Sequence, residues 1–189
     1  SNPEWYPAIQ KEIDSVLPNG ALPTKESIKE LKLLERIFLE SLRLVPPAAV
    51  LARLTSKTID LDGIQVPPGT DITFPAFYLH LDERSWGKGC EKFNPDRFLP
   101  TERGRNGKLK PFRPKRGSFV PFSDGPRSCV GRHYATMEAV TALAVLLQKY
   151  EFDVPADYKW SNIFTGFGLR PFCQNRQEVS VYLTCRDRK

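Results

Sequence analysis

The stretch from Phe119 to Tyr134 carries the residue types that could do chemistry, because it sets a single cysteine between a turn and a long apolar segment. Cys129 follows a turn-forming run, Ser-Asp-Gly-Pro at 123–126, and precedes Ala135 to Leu147, which has helical length and few helix breakers. Free backbone N–H groups and the positive end of the helix dipole meet at a helix N-terminus and favour a thiolate there. A single thiolate suits an iron whose other coordination positions are filled by a macrocycle.

The neighbours of the cysteine agree with such a ligand role. Arg127 and Arg132 add positive charge, and Gly125 and Gly131 flank the cysteine. Glycine serves where the backbone needs a positive φ or where a flat, bulky group must come close.

Two other interpretations of the cysteine stay open at this point. A single cysteine before a helix is more often an inert buried thiol. Cys129 and His133 are four residues apart, so both could face one zinc ion from one side of a helix, but the sequence offers no second pair of ligands.

The order and spacing Phe122-x-x-Gly125-x-Arg127-x-Cys129-x-Gly131 resembles the haem-binding signature of the cytochrome P-450 family, the haem-thiolate monooxygenases, at every fixed position. The resemblance implies a haem (heme, iron protoporphyrin IX) cofactor with the Cys129 thiolate as its axial ligand. It also implies a fold that is mainly α with small antiparallel β-sheets, of which this chain would be the C-terminal part.

A second motif lies in a predicted helix, where Glu40 and Arg43 are three residues apart and therefore share one face. A surface ion pair of this kind contributes under about 1 kcal/mol. The surrounding residues are mostly apolar, however, and a buried pair needs further hydrogen-bond partners. In the family, an aromatic-Pro-acid-Arg-Phe segment, here Phe93 to Phe98, supplies the missing partner, so the resemblance implies a buried network of Glu40, Arg43 and Arg97.

Two arginines match family positions that contact the haem propionates. Arg127 stands two residues before the cysteine, and Arg53 stands in a predicted strand after the Glu-x-x-Arg helix. A guanidinium group binds a carboxylate through two parallel hydrogen bonds, which suits both positions.

The composition is that of an ordinary globular chain of 189 residues, with a net charge of +6, 17 prolines and four cysteines at irregular spacing. Neither a disulfide framework nor a zinc ribbon is indicated, and a reducing compartment is the simpler interpretation. The chain contains no run of about 18 apolar residues, so the sequence does not predict a membrane anchor within it. We therefore expect the cytosol or the cytoplasmic side of a membrane, where a full-length relative could be anchored.

Apolar periodicity and turn signals place these motifs on a series of elements. The predicted helices are Asn2 to Leu17, Pro23 to Leu42, Ala76 to Leu81 and His133 to Tyr150, the last of them largely buried. The predicted strands are Ala49 to Thr55, Lys57 to Leu61, Ile64 to Val66, Ile72 to Phe74 and Glu178 to Leu183. Phe167 to Pro171 is predicted to be an irregular turn, and Asp62-Gly63 is predicted to be a hairpin turn.

The resemblance covers nearly all of the chain, so residues 1–189 are predicted to form one haem-ligating portion of a cytochrome P-450-like domain. The central oxygen-activating helix of the family is expected upstream of these residues. The implied activity is insertion of one atom of dioxygen into an apolar organic substrate, with electrons from an NAD(P)H-dependent reductase. By itself the chain is expected to self-associate and to be inactive.

The alternative function is that of a haem-less remnant or interaction module. Between residues 101 and 117 the chain has seven basic residues against one acidic residue. This basic loop, residues 103–116, could bind an acidic protein or nucleic acid. A charge of +6 over the whole chain is too small to indicate nucleic-acid binding by itself.

Overall fold

A computed structural model of the chain describes residues 2–100, 112, 114–153, 161–165, 168–172 and 182–186. The fold over these residues is mainly helical with small antiparallel sheets, as predicted. The α-helices are α1 (Tyr6–Val16), α2 (Lys25–Ile28), α3 (Lys32–Leu44), α4 (Ala76–His80), α5 (Glu83–Trp86) and α6 (Arg132–Lys149). Short 3-10 turns lie at Pro3–Trp5, Pro18–Gly20, Pro95–Phe98 and Gly125–Arg127.

The strands pair two by two, and every pair is antiparallel. The strands are β1 (Leu51–Leu54), β2 (Ile59–Leu61), β3 (Ile64–Val66), β4 (Asp71–Phe74), β5 (Tyr150–Asp153), β6 (Ser161–Thr165), β7 (Gly168–Phe172) and β8 (Tyr182–Cys185). The pairs are β1 with β4, β2 with β3, β5 with β8, and β6 with β7. The predicted turn at Asp62-Gly63 joins β2 to β3, and both residues have the positive φ that such a tight hairpin requires.

The end of the chain differs from the prediction in one place. The irregular turn predicted at Phe167 to Pro171 is largely a strand, β7, paired with β6 from Gly168 onward. Pro171 does not prevent this pairing, because proline is tolerated where its missing N–H is not needed, as at the edge of a sheet. Of the closing strand predicted at Glu178 to Leu183, residues 178–181 lie outside the described residues.

Helices α1, α3 and α6 pack around the larger of two apolar clusters. Its buried members come from one face of each helix and from the connections between them: Ile9, Ile13, Leu17, Leu31, Leu33, Leu34, Val140, Ala144 and Leu147. The second cluster is largely aromatic and lies around Trp86 and Phe98, with Leu39 of α3, Phe112 and Phe119 packed against it.

The prediction of a single helix from Pro23 to Leu42 is wrong, because the helix is interrupted between α2 and α3. A carboxylate from another helix stabilises the new N-terminus. Glu12 of α1 accepts hydrogen bonds from the backbone N–H groups of Leu33 (2.7 Å) and Leu34 (3.0 Å). These N–H groups belong to the first turn of α3 and would otherwise have no partner within the helix, and a negative charge is favourable there.

Replacing Glu12 with alanine should therefore lower the free energy of unfolding by about 1–2 kcal/mol, the usual effect of losing a helix cap. Urea unfolding measures this. The control is Glu91→Gln, which removes an exposed carboxylate elsewhere and should stay within about 0.5 kcal/mol. If Glu12→Ala costs no more than this control, the carboxylate does not stabilise α3.

The last helix is less buried than its apolar composition predicts. Its fully buried residues, Val140, Ala144, Leu147 and Gln148, form one stripe at helical spacing. Met137 continues this stripe towards the N-terminus of the helix but is exposed, and Leu146 lies outside the stripe and is exposed as well. Over the residues that the structure describes, no helix combines the length and apolarity that crossing a membrane requires.

Candidate functional site

The cysteine loop, residues 119–131, leads into α6 through the 3-10 turn at Gly125–Arg127. The backbone N–H of Cys129 donates to the carbonyl oxygen of Phe122 over 2.8 Å, which closes the loop on itself. Gly131 is the N-cap residue of α6, so the cysteine lies two residues before the cap. Its side chain is exposed, which excludes the inert buried thiol as a description of this residue in the isolated chain.

The two glycines of the loop serve different purposes. Gly125 has φ +68°, a conformation that residues with a Cβ rarely adopt. Gly131 has φ −86° and is not conformationally demanding. A Cβ at position 131 would lie 3.9 Å from the sulfur of Cys129, so glycine there keeps the space beside the sulfur open.

The two predicted propionate arginines have different environments. Arg53, on β1, donates from Nη2 to the hydroxyl of Ser123 (2.7 Å) and from Nη1 to the carbonyl oxygen of Ala52 (2.8 Å). It therefore connects β1 to the cysteine loop. Arg127 is exposed, and in the described part of the chain its guanidinium group has no hydrogen-bond acceptor, so the whole group is free to bind an anion.

The donor set around Cys129 fits a metal that brings most of its own ligands. Across the described residues, no three His, Cys, Asp or Glu side chains come together as a metal-binding group. A thiolate that stands without such neighbours suits an iron held by a macrocycle rather than a zinc ion. Val130, the residue after Cys129, is apolar and completely exposed, and Phe122 is half-buried, so an apolar ring system would find apolar side chains in this loop. The residues present therefore fit haem.

The Glu40–Arg43 pair of α3 is completely buried. Arg43 binds both carboxylate oxygens of Glu40, from Nε at 2.7 Å and from Nη2 at 2.8 Å. Glu40 also accepts from the backbone N–H of Asn94 (2.8 Å), and Arg43 Nη1 donates to the carbonyl oxygen of His80 (2.8 Å). These additional bonds satisfy the requirement that a buried ion pair has further partners.

Arg97 joins the pair at a longer distance. Its Nε lies 3.6 Å from Glu40 Oε1, which is close enough for charge attraction but too long for a hydrogen bond. Its two terminal nitrogens donate to the carbonyl oxygens of Trp86 (2.9 Å) and Gly89 (2.6 Å). Glu40, Arg43 and Arg97, named here the buried network, thus lie together and bind the backbone that follows α4.

Sequence reasoning did not single out His80, which lies in the helix predicted at Ala76 to Leu81. The His80 ring is fully buried and makes a hydrogen bond at each nitrogen. Nδ1 lies 3.1 Å from the carbonyl oxygen of Arg43 and must donate to it. Nε2 therefore accepts, and it receives the backbone N–H of Val120 (2.8 Å). A buried histidine with two backbone partners leaves no pattern in the sequence that could have revealed it.

Burial lowers the pKa of His80 from 6.5 to about 4, because the charged imidazolium would lose its hydration. Between these values the unfolded chain binds a proton that the folded chain does not. The free energy of unfolding should therefore fall as the pH drops from about 6.5 towards 4, by up to roughly 3 kcal/mol. Urea unfolding at a series of pH values measures this.

The control for this pH dependence is His133, the chain's other histidine, which is exposed. His80→Gln should flatten the curve in this pH range, and His133→Gln should leave it unchanged. A steep curve that persists in His80→Gln would assign the acid sensitivity to other groups.

The basic loop, residues 103–116, lies mostly outside the described residues, so the structure does not place it next to the cysteine loop. The remaining predicted residues fall into two groups. Cys129, Phe122, Gly125, Gly131 and Arg127 share the cysteine loop, which Arg53 contacts through Ser123. Glu40, Arg43 and Arg97 form the buried network behind it.

Comparison with known proteins agrees with these motifs. The family model described as cytochrome P-450 matches residues 1–172. A cytokinin hydroxylase of Arabidopsis thaliana is 36% identical over 164 residues, 86% of this chain and 29% of the relative. Cytochrome P-450 734A5 of Oryza sativa subsp. japonica is 38% identical over 83% of this chain and 28% of the relative. Cytochrome P-450 3A2 of Rattus norvegicus is 36% identical over 80% of this chain and 28% of the relative.

The chain therefore spans less than a third of the length of these three relatives. The family match nevertheless covers the buried network and the cysteine loop together. On this match, the chain belongs to the cytochrome P-450 family.

Proposed function

We propose that this chain is the haem-ligating portion of a monooxygenase, an oxidoreductase that inserts one atom of dioxygen into an apolar organic substrate. The observation that carries the proposal is the exposed Cys129 thiol, which is held in a loop closed by its own backbone N–H and belongs to no group of three metal-binding side chains among the described residues. The family of the chain supports the same assignment.

The cysteine loop and Arg53 together supply the residues that this proposal uses. Cys129 would supply the thiolate ligand, and Gly131 leaves the space beside the sulfur open to the ring system. Arg127 binds one propionate with a guanidinium group that has no other acceptor among the described residues. Arg53 binds the second propionate and holds the loop through Ser123. Phe122 contributes apolar contact and accepts the N–H of Cys129.

When bound through the Cys129 thiolate, haem would supply an electron-rich iron suited to O–O bond cleavage. The protein's contribution at this face is positional. The loop holds the sulfur at a fixed point, and two guanidinium groups neutralise the propionates and orient the ring. Electrons would come from an NAD(P)H-dependent reductase. The substrate would be an apolar small molecule.

Haem titration of the 189-residue chain tests the proposal. The proposal expects saturable uptake and, after reduction and addition of carbon monoxide, the red-shifted absorbance band of a thiolate-ligated haem. A chain that folds but takes up no haem, or that binds it without the thiolate-type band, would overturn the proposal. Binding of an acidic protein by such a chain would instead favour an interaction module that uses the basic loop.

A further inference from the structure

His80 provides one connection between the buried network and the cysteine loop. Arg43 donates from Nη1 to the carbonyl oxygen of His80 over 2.8 Å. The ring of the same histidine accepts the N–H of Val120, within the cysteine loop, over 2.8 Å. One residue thus binds the network with its backbone and the loop with its side chain.

Trp86 repeats this arrangement with the other arginine. Arg97 donates from Nη1 to the carbonyl oxygen of Trp86 over 2.9 Å. The indole N–H of Trp86 donates to the carbonyl oxygen of Ser118, at the entry to the cysteine loop, over 3.1 Å. The guanidinium carbon of Arg43 also lies 5.1 Å from the centre of the Trp86 ring, so the two connections touch each other.

We propose that His80 and Trp86 are positioning residues, which hold the cysteine loop against the buried network through one acceptor and one donor. His80 fixes the N–H of Val120, and Trp86 fixes the carbonyl oxygen of Ser118, two residues before it. The loop is then held between these anchors and the bond from Cys129 to Phe122. The expected effect on haem ligation rests on the proposed function. The connection of the cysteine loop to the buried network through His80 and Trp86 does not depend on it.

Burial makes both connections specific. His80, Ser118 and Val120 are all buried, with exposed fractions of 0%, 5% and 8%. Water therefore cannot easily replace a lost hydrogen-bond partner. A conformation that leaves one of these buried backbone groups without a partner is destabilised. The ring of Phe119 packs against His80 and Trp86, with centroids 5.2 and 5.9 Å away, so the same stretch is held by apolar contact as well.

A pair of His80 variants separates the acceptor from the donor. The amide of glutamine reaches the position of Nε2, so His80→Gln keeps an acceptor for Val120. The shorter amide of asparagine reaches only the position of Nδ1, so His80→Asn keeps the bond to the Arg43 carbonyl and loses the acceptor. Both variants remove the ring, so the loss of its packing is common to them.

Amide hydrogen exchange in the 189-residue chain reads out the result without any haem. In His80→Asn, the N–H of Val120 should exchange roughly tenfold faster or more than in the wild type. The N–H of Cys129, which neither residue contacts, should accelerate in the same direction. Ala144, fully buried in α6, serves as the reference for global opening. Relative to Ala144, His80→Gln should keep both loop amides within about threefold of the wild type.

Trp86→Phe tests the second connection. It keeps the positioning role testable if His80→Asn does not fold. Phenylalanine keeps an aromatic ring in the cluster and removes the N–H that binds Ser118. The N–H of Cys129 should again exchange faster relative to Ala144. In haem-loaded samples, His80→Asn and Trp86→Phe should both lose part of the thiolate-type carbon monoxide band, whereas His80→Gln should retain it.

The outcomes separate this inference from the proposed function. If the wild type takes up no haem, the proposed function fails, while the exchange of the loop amides still tests the positioning role. Equal exchange at Cys129 in the asparagine and glutamine variants would overturn the role of His80. Faster exchange at Val120 with no change at Cys129 would show that the bond between His80 and Val120 is local and does not position the rest of the cysteine loop. Wild-type exchange at Cys129 in Trp86→Phe would overturn the second connection.

Discussion

Replacing Arg43 with alanine should lower the free energy of unfolding by about 3–5 kcal/mol, because it strands a buried carboxylate. Glu40 and Arg43 have no exposed side-chain surface and share two hydrogen bonds. Without Arg43, Glu40 would keep the N–H of Asn94 and the Arg97 charge at 3.6 Å, but it would have no short hydrogen bond to a cation among these partners. The carbonyl oxygens of His80 and Lys92 would lose a donor as well.

The same helix offers a matched control. Lys32 and Glu35 of α3 also form an ion pair three residues apart, with a separation of 3.4 Å, but their side chains are 61% and 41% exposed. Lys32→Ala should change the free energy of unfolding by less than about 1 kcal/mol, since water screens this pair. Spacing and helix are the same in the two pairs, so the difference between the variants isolates burial.

A double variant shows whether the cost comes from the stranded charge. Glu40→Gln combined with Arg43→Met removes both charges and fills a similar volume, and it should recover a substantial part of the loss. Urea or thermal unfolding of the four proteins gives the comparison. An Arg43→Ala variant no less stable than Lys32→Ala would contradict a structural role for the buried network.

Local sequence signals predicted the elements well where short-range physics decides them. The hairpin at Asp62-Gly63 follows from two residues that tolerate a positive φ, and the end of α1 follows from Pro18. The break between α2 and α3 could not be predicted in this way, because the apolar spacing continues across it. It is stabilised by Glu12, which lies about twenty residues earlier and meets α3 only in the folded chain.

The candidate site divides in the same manner. The cysteine loop is a contiguous motif, so its glycines, its arginine and its thiol could be named from the sequence. The buried network could be named only through the family resemblance, because Arg97 is far from Glu40 along the chain. The connections through His80 and Trp86 join side chains to backbone groups of Val120 and Ser118, and such groups carry no residue-specific signal. They require the structure.

Cys129→Ser should abolish the thiolate-type carbon monoxide band completely while leaving the chain folded. A serine hydroxyl is not a soft anionic ligand at neutral pH, so the electron donation that shifts the band would disappear. The side chain is exposed, and the loop is held by backbone bonds and by Arg53, none of which uses the sulfur. The free energy of unfolding without haem should therefore change by no more than about 0.5 kcal/mol.

Cys185→Ser is the matched control, because Cys185 is also a free, exposed cysteine but lies on β8. This variant should keep the band at wild-type intensity. Alkylation followed by peptide mapping gives a second readout: bound haem should protect the sulfur of Cys129 from an alkylating reagent and leave that of Cys185 reactive. Retention of the thiolate-type band in Cys129→Ser would show that another residue ligates the iron, because this loop would then contain no thiol. Equal alkylation of Cys129 with and without bound haem would contradict the assignment in the same way.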